Sequence, residues 1–249
     1  MRLFSLPSLR WPLLAAIVGS SFFSTNSWGG LMLSSTRLVF DGSKRDTSIT
    51  ASNSTPLPYA VQVWINNEND DNSVTVPFVA SPALFRLDAK KEQIVRVQKV
   101  PGELPQDRES VFYLNAQEIP QASAGDNNTL KIAIRTRIKL FYRPAGLKGQ
   151  MLEALPTLNW TISKKEGQSV LSVENPSAFH LSFAGVQLMA GDQVVNVQDP
   201  AMVAPMSSQH YPVPGPAGKA TEVQFSVIND YGGYSEPTRA PIRSALPAS

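Results

Sequence analysis

Apolar and polar residues alternate with a period of two along most of this chain, the repeat of a half-buried β-strand whose successive side chains point to opposite faces. In Tyr59-Ala60-Val61-Gln62-Val63-Trp64-Ile65-Asn66 the odd positions are apolar and the even ones mixed, and the polar residues 66–72 follow as a turn. The same rhythm predicts strands at Leu31–Phe40, Gln93–Val100, Val111–Ala116 and Leu130–Tyr142. It pauses at Arg143-Pro144-Ala145-Gly146-Leu147, where Pro and Gly stop a strand. It resumes at Leu158–Ser163, Ser169–Glu174, Phe179–Met189, Gln193–Val197 and Glu222–Asn229. Short strands bounded by Asp, Asn, Gly and Pro mark an antiparallel sandwich. A hinge is therefore predicted near residues 144–150, between sandwiches of about 115 and about 100 residues. The 20 Pro among 249 residues are scattered, which leaves few windows for a long helix.

The first 29 residues break this pattern. Arg2 and Arg10 lead into an apolar stretch, Trp11 to Phe23, and then into small residues, with Ser27 and Gly29 at −3 and −1 of a cut before Gly30. That order predicts a cleaved secretory signal peptide over residues 1–29. The apolar run is shorter than the ~20 residues of a membrane span, so the mature chain is expected to have none. Removing the leader takes away two Arg and no acid, which brings the formal net charge from +2 to 0. A neutral mature chain has no global field for nucleic acid. With no Cys, an exported protein must take its stability from its cores rather than from disulfides.

Composition also narrows the chemistry. The absence of Cys removes thiolate metal sites and cysteine nucleophiles, and two His leave little for a histidine metal cage, so no metal and no catalytic residue is assigned. His180 lies inside a strand-like stretch and reads as an ordinary packed or surface histidine. His210 reads as loop or edge strand, and no G-x-S-x-G elbow occurs. Gly215–Thr221 has the wrong spacing for a phosphate loop, and Asp70-Asp71 reads as a solvated turn.

The most informative segment is Leu130–Tyr142. Leu130, Ile132, Ile134, Ile138 and Leu140 share one face, while Lys131, Arg135, Arg137 and Lys139 share the other. As one strand it would run about 40 Å, well beyond the usual 5 or 6 residues. It reads either as a central strand with its own core face, or as a strand with length to spare for a partner.

At this segment the chain resembles the periplasmic chaperones of the chaperone–usher pathway, which assemble pili and fimbriae. Ile138-Lys139-Leu140-Phe141-Tyr142-Arg143-Pro144 is similar to the end of that family's first-domain G strand. Four more stretches match in order: Thr36–Gly42, Arg108–Asn115, Glu118-Ile119-Pro120 and Ile228–Gly233. The resemblance implies an all-β protein of two immunoglobulin-like β-sandwich domains, residues 30–146 and 147–249, set at an angle around an interdomain cleft.

It also implies roles. Leu130, Ile132 and Ile134 would enter the groove of a pilus subunit that lacks its last strand. Arg37 and Lys139 would grip the subunit's terminal carboxylate. Glu118, Arg143 and Asp230 would form ion pairs between the domains. The short polar stretch from Pro120 to Thr129 is similar to the short-loop branch of the family. The expected partners are pilus subunits and an outer-membrane usher, with self-association of the free protein left open. The expected location is the Gram-negative periplasm. No cofactor and no enzyme activity are expected. The competing readings are a secreted carbohydrate-binding or adhesive sandwich, with Trp64 and Trp160 as sugar-stacking faces, and a hydrolase with carboxylates that the sequence does not reveal.

Overall fold

The computed structural model describes residues 30–120, 132–191, 193–214, 217 and 219–244. The expected leader, the polar stretch from 121 onward and Leu130 lie outside the described residues. The chain forms two β-sandwich domains, each with its own core.

Among the described residues the first domain holds nine strands: β1 (Leu31–Leu33), β2 (Arg37–Asp41), β3 (Asp46–Asn53), β4 (Tyr59–Asn66), β5 (Phe78–Ser81), β6 (Leu84–Leu87), β7 (Glu92–Lys99), β8 (Ser110–Ile119) and β9 (Arg135–Arg143). One sheet has the order β1-β3-β7-β5 and the other β2-β9-β8-β4-β6. The expected first strand is split because the chain changes sheets: β1 pairs with β3, whereas β2 pairs in parallel with β9. Between the sheets lies a closed core that includes Phe40, Val61, Val95, Val97, Leu114 and Leu140. The alternate residues of β4 and β7 supply it, as their period of two requires.

The second domain follows a short 3-10 helix, Met151–Thr157. Its strands are β10 (Asn159–Lys165), β11 (Gln168–Asn175), β12 (Phe183–Ala190), β13 (Gln193–Asn196), β14 (Ser207–Val213), β15 (Glu222–Val227) and β16 (Thr238–Ser244). They form one curled sheet in the order β13-β12-β15-β16-β10-β11-β14. Trp160 fills its core, with ring centroids 5.2 Å from Phe225 and 5.6 Å from Phe183. At these separations tilted aromatic pairs add to simple area burial.

Two close approaches matter here, one within the first domain and one between the domains. Gly42 lets its strand turn against the end of β9, because a Cβ there would lie 2.9 Å from the Arg143 carbonyl oxygen. Gly232 sits at φ +86° in the loop after β15, where a Cβ would lie 2.5 Å from the Thr36 hydroxyl of the first domain. A side chain there would be strained in backbone and blocked in space.

Candidate functional site

Arg37 opens β2 and Lys139 lies in β9, and the parallel register of the two strands makes them direct neighbours. Both reach across to the second domain. Arg37 Nη1 donates to the Ile228 carbonyl at 2.8 Å, and Lys139 Nζ donates to Ser182 Oγ at 3.0 Å. Arg37 is buried, yet its Nε makes no hydrogen bond. Burial holds the Arg37 guanidinium below its usual range, against the opposing pull of Asp230. Burial, and then the charge of Arg37, hold Lys139 below the ordinary lysine range, with Glu68 opposing. Two half-desolvated cations side by side, bonded among the described residues only to neutral oxygens, raise each other's energy. An anion between them would lower it through charge-assisted bonds.

Four residues further along β9, Arg143 is dressed in the opposite way. Its Nη1 and Nη2 form a fork on Asp230 at 2.7 and 3.0 Å, and its Nε donates to Glu109 Oε1 at 2.8 Å. Glu109 carries a side chain only 2% exposed and also accepts from the His180 backbone N–H at 2.8 Å. Burial pulls the Arg143 guanidinium down, but the bonds and charges of Asp230 and Glu109 outweigh it and hold it above its usual range. Three segments far apart in sequence thus meet at one cation, which ties the first domain to the second.

Glu118 is not part of this cluster. It stands at the opposite end of β8 from Glu109, nine residues and about 30 Å of extended chain away. Its carboxylate lies against Gly30. The expectation that Glu118 joins Arg143 and Asp230 is corrected: the acid is Glu109.

The expected long strand is also shorter than its alternation suggested. β9 begins at Arg135, and residues 132–134 are extended chain outside it, held to β8 by a bond from the Glu118 N–H to the Ile134 carbonyl at 3.1 Å. β2 covers the β9 edge only from Lys139 to Arg143, whereas β8 pairs with β9 from Arg135 to Tyr142. Among the described residues, the edge from Arg135 to Ile138 therefore has no strand beside it. Ile132 and Ile134, which continue its apolar alternation, are 66% and 49% exposed. An unpaired edge with apolar side chains and a cation pair at its end is a template for a further strand.

Comparison with known proteins bears on this arrangement. Residues 30–148 match the model of the pili and flagellar-assembly chaperone PapD N-terminal domain, and residues 153–239 that of the pili assembly chaperone PapD C-terminal domain. The chain belongs to the PapD family of pilus assembly chaperones. It is 39% identical over 223 residues to the chaperone protein LpfB of Salmonella typhimurium, covering 88% of this chain and 90% of LpfB. It is 38% identical to the probable fimbrial chaperone YadV of Escherichia coli, over 86% and 91% of the two chains. The crystal structure of the YadV chaperone superposes with a TM-score of 0.75, at 36% identity, over 86% of this chain and all of that one. The Salmonella enterica SafB chaperone, solved in complex with the SafA pilin, matches at 25% identity with a TM-score of 0.75, over 85% of this chain and 96% of that one. The function is therefore that of a fimbrial chaperone, with the fold of two immunoglobulin-like domains, and the carbohydrate-binding alternative is not favoured.

The remaining candidates find other places in this chaperone. Trp160 is 1% exposed in the second core, and Trp64 lies under the Arg135 guanidinium at 5.0 Å, so neither is an open sugar platform. His180 is buried beside Glu109, and His210 Nδ1 lies 2.8 Å from Ser172 Oγ on the surface of β14. Asp70 is not a free turn residue, because Arg135 and Asn66 both bond its carboxylate. Among the described residues no group of three metal-ligating side chains assembles, and no helix is long and apolar enough to cross a membrane. Sequence reasoning missed Glu109, Ser182 and the Ile228 carbonyl. Glu109 was within reach, as the acid inside the matched stretch Arg108–Asn115. The other two contribute common polar atoms that no pattern flags.

Proposed function

We propose that this chaperone receives a fimbrial subunit on the open edge of β9 and holds the subunit's terminal carboxylate between Arg37 and Lys139. The observation that carries this reading is that β2 stops covering β9 at the position of the two cations. A partner strand ending there would lie in line with β2, run parallel to β9, and span Lys139 back to Ile132, about 23 Å at 3.3 Å per residue. Ladder bonds would be blind to sequence, and the alternate side chains would select the partner. Ile132 and Ile134 would fill apolar pockets, each worth ~1.5–3 kcal/mol if fully buried. Leu130, two residues upstream and outside the described residues, continues the same alternation in the sequence. Arg143, Glu109 and Asp230 would hold the cleft angle.

The SafA–SafB complex supports a pilin as the class of partner, and the periplasmic chaperone SfaE, 29% identical to this chain, supports the periplasm as its place of action. Export to that compartment through cleavage of residues 1–29 fits this reading. So do delivery to an outer-membrane usher and self-association of the free protein through the same edge. The test is co-expression with a fimbrial subunit. A soluble one-to-one complex is expected from the wild type, and its loss from Lys139→Ala or Arg37→Ala while the free protein stays folded. Normal complex formation by both variants would remove the carboxylate clamp.

A further inference from the structure

The outer face of the first domain carries a polar assembly that the clamp and the interdomain pairs leave unexplained. Asn115 lies on the outward side of β8 and is fully buried. Burying an amide there is costly unless its bonds are made. They are: its Nδ2 donates to Asn66 Oδ1 at 3.0 Å, and its Oδ1 accepts from Arg135 Nε at 2.9 Å. Arg135 also forks onto Asp70, with Nη1 at 2.9 Å from Oδ2 and Nη2 on Oδ1. Asn66 Nδ2 donates to Asp70 at 2.5 Å and to Asn72 at 3.1 Å. Two residues along, Arg137 Nη2 donates to the carbonyls of Asn67 and Glu68 at 2.8 and 3.0 Å, and its guanidinium lies 3.8 Å over the Tyr113 ring. Every arm that the open half of β9 sends outward is fastened to the turn 66–72.

That turn is built for the purpose. Asp70 holds φ +60°, a left-handed conformation that Asp tolerates better than most residues. Its carboxyl is held down to about 2, first by the Arg135 bond and then by Asn66, so it stays charged in any ordinary buffer. Arg135 and Asp70 are 31% and 43% exposed, and an exposed pair of this kind adds little to stability. Its effect is on direction. Residues 135 and 137 point outward while Ile138 points into the core, so fastening the outward arms fixes the rotation of the ribbon about its own axis. The open half is a sheet edge with a strand on one side only, so one set of ladder bonds rather than two holds its orientation.

We propose that the turn 66–72 is a buckle that presents Ile132 and Ile134 to an incoming fimbrial subunit, with Asp70 and Arg135 as its positioning residues. The proposal rests on the strand-lending reading above. It adds that the subunit meets an edge whose orientation is already set, so that less ordering is required at the moment of binding.

The test uses the full chain with Asp70→Asn, which keeps size and left-handed tolerance but removes the charge, and Arg135→Lys, which keeps charge but removes the fork. In the free protein, amide exchange at 134–137 and at Glu118 is expected to quicken about tenfold in both variants through local opening. Tm should stay within about 2 °C. Association with a co-expressed, refolded fimbrial subunit is expected to slow about three- to tenfold, with dissociation less affected. Wild-type exchange and wild-type association in both variants would overturn the buckle. Lys139→Ala is measured alongside. If it too binds like the wild type, the strand-lending reading has failed instead, and the exchange data still decide whether the turn holds the ribbon.

Discussion

Two cationic centres lie within one stretch of β9, and they are completed in opposite ways. Arg143 has two carboxylates on it, and its proton is held more tightly than usual. Among the described residues Arg37 and Lys139 have only a carbonyl and a hydroxyl, and their protons are held less tightly than usual. Burial alone would lower all three, so the difference is the presence or absence of a built-in acid. A cation with its acids in place is a structural joint. A pair of cations kept half-dry without one is prepared for an acid from outside.

The comparison breaks most visibly at the joint. Arg143→Ala leaves Glu109 charged and buried, which should cost about 3 kcal/mol, the low end for breaking a buried pair because Arg143 is itself 25% exposed. Urea unfolding of the variant checks this, with the second domain expected to loosen from the first. Removing a cation from the other centre should do the reverse. Lys139→Ala is expected to leave Tm unchanged or slightly raised while subunit affinity falls at least about thirtyfold, the low end for truncating one partner of a buried charged bond.

Smaller effects sharpen the contrast. Ile134→Ser should weaken subunit binding by about tenfold through the lost apolar pocket, with no change in Tm, since Ile134 is half exposed in the free protein. Subunit binding should also fall as pH rises toward and through the depressed pKa of Lys139, below the 10.5 of an ordinary lysine. In the free protein the sign is reversed: the charged lysine is a cost to the folded state, and that cost fades as the proton leaves. Parallel titrations of binding and of unfolding check both signs. Glu118→Gln should change stability by less than about 0.5 kcal/mol, because the carboxylate takes part in no joint between the domains.

Much of this was legible in the sequence, and the failures have physical causes. The alternation in Tyr59–Asn66 and Gln93–Val100 located β4 and β7 because each has one face in the core and one outside. β3, Asp46–Asn53, escaped because Ser and Thr occupy much of it and blur the alternation. β16 escaped because Pro241 sits within it, as an edge or switching strand permits. The overlong reading of β9 came from treating alternation as proof of strand, when residues 132–134 alternate outside β9 and meet β8 through the Glu118 N–H bond to Ile134. The nearness of Arg37 and Lys139 came from resemblance, since no periodicity links residues a hundred positions apart. The Glu118 error has the same root. Charge and strand position do not say which end of β8 meets the second domain, and only the register does.

The most direct test of the central claim uses the subunit's tail alone. A synthetic peptide matching the last strand of a fimbrial subunit is titrated into the chaperone by calorimetry, once as the free acid and once with its terminus amidated. The account predicts that the amide binds at least about thirtyfold more weakly, and that Lys139→Ala removes most of that difference. Equal affinity for acid and amide would contradict it, and would mean that the two bare cations serve something other than the end of a chain.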